Sequence, residues 1–88
     1  SWWNRKGDEI DILAINHEKK NVLAVEIKNK ELTRNEAKRI LNSTKEKTKL
    51  IGEVAGMECK IGIAARKIEN RDEIEREGFC VWELEDFL

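Results

Sequence analysis

The chain has no proline, no tyrosine, one histidine and two cysteines in 88 residues. It also has no apolar run near the ~18 residues that a membrane-spanning helix needs, and nothing resembling a secretory leader. The absence of a span and a leader predicts a cytosolic domain with no membrane partner. Cys59 and Cys80 are 21 positions apart, with no second Cys or His nearby to complete a zinc pattern. They read as buried free thiols; a disulfide would be expected only if the source were a hyperthermophile. His17 lies between Asn16 and Glu18 in a polar link. It reads as a turn residue, too far along the chain from the acidic positions below to act as their base. A chain of this length buries only somewhat over ~60% of its unfolded surface, so there is room for one core and no second lobe. The sequence opens Ser1-Trp2-Trp3, without Met, which predicts a single domain over 1–88 cut from the C-terminal part of something longer. The paired tryptophans read as packing residues.

What is present is charge. Asp, Glu, Lys and Arg make up 40% of the chain at a net of −1. With proline absent, that composition leans toward a thermophilic source. The near-neutral total hides an asymmetry, because residues 28–50 carry eight Lys/Arg against three Glu, whereas residues 69–88 carry two Arg against eight Asp/Glu. A basic middle suits a polyanionic ligand, and a solvated helix face would look the same.

Two short runs organise the rest, DEIDILAIN at 8–16 and NVLAVEIKNK at 21–30. If they pair as an antiparallel hairpin through His17-Glu18-Lys19-Lys20, with Asn16 facing Asn21, paired positions sum to 37. Asp11 then falls opposite Glu26, and Glu9 opposite Lys28. Directly opposed residues project from the same face with Cβ atoms about 4.5–5.5 Å apart, where like charges repel. Two carboxylates so placed call for a cation. Because both faces of the 9–16 run are largely apolar, helices are expected to flank the sheet.

The remainder reads as alternating elements. Thr33-Arg34-Asn35-Glu36 is a capping box, and the apolar spacing Ala37, Ile40, Leu41, Thr44, Thr48, Ile51 predicts an amphipathic helix. A break is expected near Gly52, with Gly56 able to close a left-handed cap. Arg34, Lys38, Lys45 and Lys49 fall off the apolar stripe. Residues 58–66 read as a third strand, joined to the second by a right-handed parallel crossover. Gly62 within it marks the close approach of another group. Asn70-Arg71-Asp72-Glu73 reads as a second cap opening a short helix, followed by a strand over 79–84 with Trp82 in the core. The fold class is therefore α/β, a mixed four-stranded sheet with an antiparallel first hairpin, then parallel strand-helix-strand, flanked by helices.

Asp11 and Glu26 are hard oxygen donors suited to Mg²⁺ or Mn²⁺, and the Ile27 carbonyl lies between them in sequence as a third donor. Lys28, one pleat beyond Glu26, can orient an attacking water and neutralise charge growing on a phosphoryl centre. Glu9 can hold the Lys28 ammonium or ligate a second ion. Asp11, Glu26, Lys28 and Glu9 are thus the candidate catalytic residues. Lys30, Arg34, Lys38, Lys45 and Lys49 are the candidate phosphate contacts with DNA.

Gly7-Asp8-Glu9-Ile10-Asp11 followed by Val25-Glu26-Ile27-Lys28 resembles the Asp…Glu-x-Lys signature of the restriction-endonuclease-like, or PD-(D/E)xK, nucleases, which include archaeal Holliday junction resolvases. With Trp2-Trp3, these runs look more particularly like the C-terminal domain of archaeal ATPases of unresolved function. The resemblance implies a mixed sheet with helices on both sides, Mg²⁺-dependent DNA endonuclease activity at Asp11, Glu26 and Lys28, and an ATPase domain in the same full-length chain. Relatives of this kind begin with a helix and an edge strand for which this chain has no counterpart. Its first strand is then an exposed apolar edge, and a homodimer through that strand is expected. A noncatalytic nuclease-like module binding DNA or a partner is the alternative. A cross-strand salt-bridge network of a heat-stable domain is a third reading.

Overall fold

A computed structural model of the chain describes residues 10–87. Strand β1 (Ile12–Asn16) turns into β2 (Asn21–Leu32), which leads through helix α1 (Arg34–Lys49) and a 3-10 turn (Gly52–Val54) to β3 (Glu58–Ile68). Helix α2 (Arg71–Arg76) then connects to β4 (Cys80–Glu83), and a second 3-10 turn covers Leu84–Phe87. The strands lie in the order β1-β2-β3-β4, with the first pair antiparallel and the other two parallel. This is the α/β arrangement expected from the alternation of strand and helix patterns. The hairpin register runs Ile12 with Val25 through to Asn16 with Asn21, every pair summing to 37.

The core lies between the sheet and the helices. Leu13, Val22, Ala24, Ile61, Ile63, Ala65 and Val81 project from one sheet face against Ala37 and Leu41 of α1 and Ile74 of α2. Two ion pairs, Arg34 with Glu73 and Lys38 with Glu77, join the helices. Both helices therefore share one face. Two successive crossovers of the same hand, each advancing one strand in the same direction, leave their helices on the same side. The opposite face carries Val25 and Ala64, both buried, beside Ile12 and Ile27 at 45% and 42% exposure.

The local signals hold in detail at the start of α1, hold approximately at its end, and fail at the start of α2. Thr33 accepts from the Glu36 N–H at 3.2 Å while Glu36 accepts from the Thr33 N–H at 2.9 Å, completing the capping box. The helix stops at Lys49, before the glycines, and Gly56 with φ +81° closes the following turn. Inside the helix, the buried Thr44 and Thr48 hydroxyls donate to the Ile40 and Thr44 carbonyls at 2.9 and 2.7 Å, so burial strands no donor. At α2 the expected cap is absent. Asn70 adopts φ +57° and its side chain makes no capping bond, using instead the left-handed conformation that Asn tolerates. The cysteines are free as expected, but not both buried: Cys59 is exposed and Cys80 half-buried. Trp82 is half-buried, on the face away from the helices.

The close approach at Gly62 is the ring of Trp82. A Cβ at position 62 would meet Trp82 Cζ3 at 2.8 Å and Cys80 Cβ at 3.1 Å. Gly62→Ala should cost roughly 1–3 kcal/mol through overpacking against a rigid indole. The thermal midpoint should fall by about 4–8 °C per kcal/mol, and the loss should shrink in a Trp82→Leu background. A Gly62→Ala protein at least as stable as the parent in thermal circular dichroism would refute the contact as a constraint.

Glu83 ties three elements together. It accepts from the Ile68 N–H at 3.0 Å and from the Arg71 guanidinium at 2.8 Å. The backbone bond first, and Arg71 second, hold its carboxyl below the usual carboxylate value. A lowered acid contributes stability that is present above its unfolded pKa and lost as pH falls through the folded one. Glu83→Gln should therefore destabilise by about 1–2 kcal/mol at neutral pH, allowing for the partial exposure of Arg71. Denaturant midpoints of the two proteins should converge as pH drops below the ordinary carboxylate range; a gap unchanged by pH would rule out the charge-assisted bonds as its source.

Candidate active site

The hairpin register carries Asp11 to the end of β1, next to Glu26. The Asp11 carboxylate accepts from the Ile27 N–H at 2.8 Å, a contact across the strand pair that fixes where its oxygens lie. Glu26 projects from the helix-covered face, between Ala24 and Lys28, and only 6% of it is exposed. Its carboxyl is pushed above the ordinary value, first by burial, then by the adjacent Asp11 carboxylate. Lys47 and Lys28 pull the other way. Lys28 Nζ lies 3.9 Å from one Glu26 oxygen and Lys47 Nζ lies 3.9 Å from the other. Immediately after Lys28, β2 takes up a register shift against β3 between Lys28 and Glu31. Such bulges bend a strand and re-aim the side chains around them.

Two adjacent acids, with Glu26 buried and held at a raised proton affinity, form a donor set that a hard divalent cation would relieve. Asp11 and Glu26 would hold such an ion. An extended residue sends its N–H and C=O to the same side, so the Ile27 carbonyl is directed toward Asp11 as well. The rest of the shell would come from water, as is usual for Mg²⁺. Among the described residues there is no cluster of three or more His, Cys, Asp or Glu side chains. Glu9 lies outside the described residues. His17 stands in the β1–β2 turn, 3.4 Å from Glu53 and away from this centre.

The basic residues read from the sequence divide into groups. Lys30 is exposed on β2 past Lys28. Arg34 and Lys38 lie toward α2, where Glu73 and Glu77 neutralise them. Lys45 is exposed, and Lys49 pairs with Glu46 one helical turn back. None of these α1 cations lines the cavity of about 240 Å³ at Glu26, whose walls are Lys28 on β2 and Arg39, Ser43 and Lys47 among the α1 residues. Lys47, with its side chain 24% exposed, is the one cation of α1 that reaches Glu26. Sequence reading did not single it out. The signal was its position at i+3 from Thr44 and i+7 from Ile40, on the border of the apolar stripe.

Glu26 gives the site a measurable pH signature. An acid with a raised folded pKa binds its proton more tightly in the native state, so stability falls as pH rises from about the ordinary 4.5 through the folded value. Glu26→Gln should unfold at a higher temperature than the parent at pH 8, with the difference closing by pH 4, where both states carry the proton. A variant less stable than the parent at pH 8 would show that the two lysines outweigh burial and Asp11.

Comparison with known proteins is consistent with a domain of a longer chain. Residues 1–40, a segment that includes Asp11, Glu26 and Lys28, match a family described as archaea bacterial proteins of unknown function (DUF234). An uncharacterized protein of Methanocaldococcus jannaschii is 38% identical over 87 residues, covering 98% of this chain. The chain spans 18% of that relative's length. No solved structure matches significantly. No helix among the described residues is long and apolar enough to cross a membrane.

Proposed function

We propose that this domain is a metal-dependent DNA endonuclease that hydrolyses phosphodiester bonds. The observation that carries the reading is the buried Glu26 carboxyl, set beside Asp11 and 3.9 Å from Lys28. Asp11 and Glu26 bind the ion, Mg²⁺ or Mn²⁺, with the Ile27 carbonyl. When bound, such an ion supplies Lewis acidity and lowers the pKa of water at neutral pH. Lys28 donates a hydrogen bond to the attacking water and offsets the negative charge that grows on the phosphoryl oxygens. Burial of Glu26 beneath α1 lowers the local dielectric, which strengthens both effects. The basic end of β2 and the α1 helix contact the DNA backbone. An ATPase domain in the same full-length chain, and a homodimer through the β1 edge, are the proposed partners. Supporting the homodimer, β1 is an edge strand of the sheet formed by the described residues.

A second reading, a noncatalytic nuclease-like module that binds DNA or a partner, is favoured by one observation. Lys28 and Lys47 already neutralise Glu26 from both sides.

The two separate in a cleavage assay on the full-length protein with linear, branched and single-stranded DNA under Mg²⁺ and Mn²⁺. The nuclease reading expects cleavage, abolished in Asp11→Ala and reduced by about 10²–10³-fold in Lys28→Ala. It also expects Mg²⁺ to raise the melting temperature of the parent and not of Asp11→Ala, because an ion that binds only the folded state stabilises it by mass action. DNA bound but uncut under both ions, with no metal-induced shift, would leave the binding module standing.

A further inference from the structure

The cavity beside Glu26 is unbalanced in charge. Three cationic side chains, Lys28, Arg39 and Lys47, face one carboxylate, that of Glu26, with the Ser43 hydroxyl among them. Arg39 forms no ion pair among the described residues, whereas Arg34, Lys38 and Lys49 on the same helix each have a carboxylate partner. Of the α1 cations with no ion pair among the described residues, Arg39 lies on the Glu26 side and Lys45 on the opposite flank; the Glu26 side adds Lys47 and Lys28, which share a single carboxylate.

The spacing makes that side a track. Arg39, Ser43 and Lys47 stand at i, i+4 and i+8, one ridge of an α-helix. At 1.5 Å per residue the ridge extends about 12 Å along the axis. One strand of a duplex advances about 3.4 Å per nucleotide along its axis, so the ridge is long enough to meet more than one phosphate. Its Lys47 end reaches the Glu26 carboxylate. We propose that Arg39, Ser43 and Lys47, with Lys28 at their base, form a phosphate track that seats the backbone of the DNA strand entering the Asp11–Glu26 centre. This deepens the nuclease reading and rests on it for the identity of the polyanion. It moves the phosphate contacts from the Arg34, Lys38, Lys45 and Lys49 flank of α1 to the opposite flank. Two guanidinium or ammonium groups flanking a hydroxyl recognise phosphate oxygens without reading base sequence.

The test is equilibrium binding of fluorescein-labelled single-stranded and duplex 20-mers to the full-length protein in EDTA, where no metal-dependent cleavage interferes. Salt is varied upward from about 50 mM. Arg39→Gln and Lys47→Gln should each weaken binding by about fivefold and flatten the slope of log K against log salt by about 0.7–0.9. Lys47→Arg should retain the parent's affinity, and Lys60→Gln, exposed on the other sheet face, should stay within about twofold. Circular dichroism on each variant confirms that the fold is retained. Unchanged affinity in Arg39→Gln and Lys47→Gln, a larger loss in Lys45→Gln than in either, or no DNA binding at the lowest salt would each overturn the track. The same samples given Mg²⁺ keep the two proposals apart. Ridge-dependent binding without cleavage sinks the nuclease chemistry alone, and cleavage with ridge-independent binding sinks the track alone.

Discussion

The register of the β1–β2 hairpin is the constraint on which the rest of the site depends. Side chains alternate faces with a period of two, so a one-residue slip would send Glu26 to the exposed face and turn Ile27 inward. Burial of Val22 and Ala24 against the helices prevents that slip. The same alternation delivers Glu26 and Lys28 beneath α1, and the antiparallel pairing brings Asp11 beside them. The acids are adjacent because apolar residues several positions away must be buried.

That placement is electrostatically unfavourable in isolation, and the structure offsets it from three directions. The Ile27 N–H satisfies Asp11. Lys28 supplies positive charge from the same strand, and Lys47 supplies it from the helix that covers the sheet. Burial and the neighbouring acid still prevail, since Glu26 keeps a raised proton affinity. Like-charged carboxylates held this closely, with imperfect compensation, are one arrangement by which functional sites perturb their acids. A salt-bridge network serving only thermal stability would be expected at the surface, where desolvation is small. Arg34–Glu73, Lys38–Glu77 and Arg71–Glu83 fit that description better.

Much of this was legible in the residues. The capping box at Thr33 and Glu36 is a local signal, and its two hydrogen bonds involve only neighbours in sequence, so nothing distant could override it. The hairpin register follows from the short link and the alternation of apolar positions, both local as well. The cap at Asn70 was misread because Asn serves equally as a side-chain acceptor and as a left-handed residue, and only the path of the chain into α2 selects between them. The crowding at Gly62 was legible as an approach, but its partner, Trp82, is 20 residues away on a neighbouring strand.

The sequence by itself determined the element order, the antiparallel pairing of the first two strands and the juxtaposition of Asp11 with Glu26, because each depends on short-range periodicity and turn length. Only the tertiary structure decided which lysines matter around them. Arg34, Lys38, Lys45 and Lys49 share one flank of the helix with one another, while Arg39 and Lys47 share the other. Which flank meets α2 carboxylates and which meets Glu26 depends on how α1 lies across the sheet. That is set by the packing of Ala37, Leu41, Thr44 and Thr48 against strands far away in sequence, and no pattern within the helix specifies it.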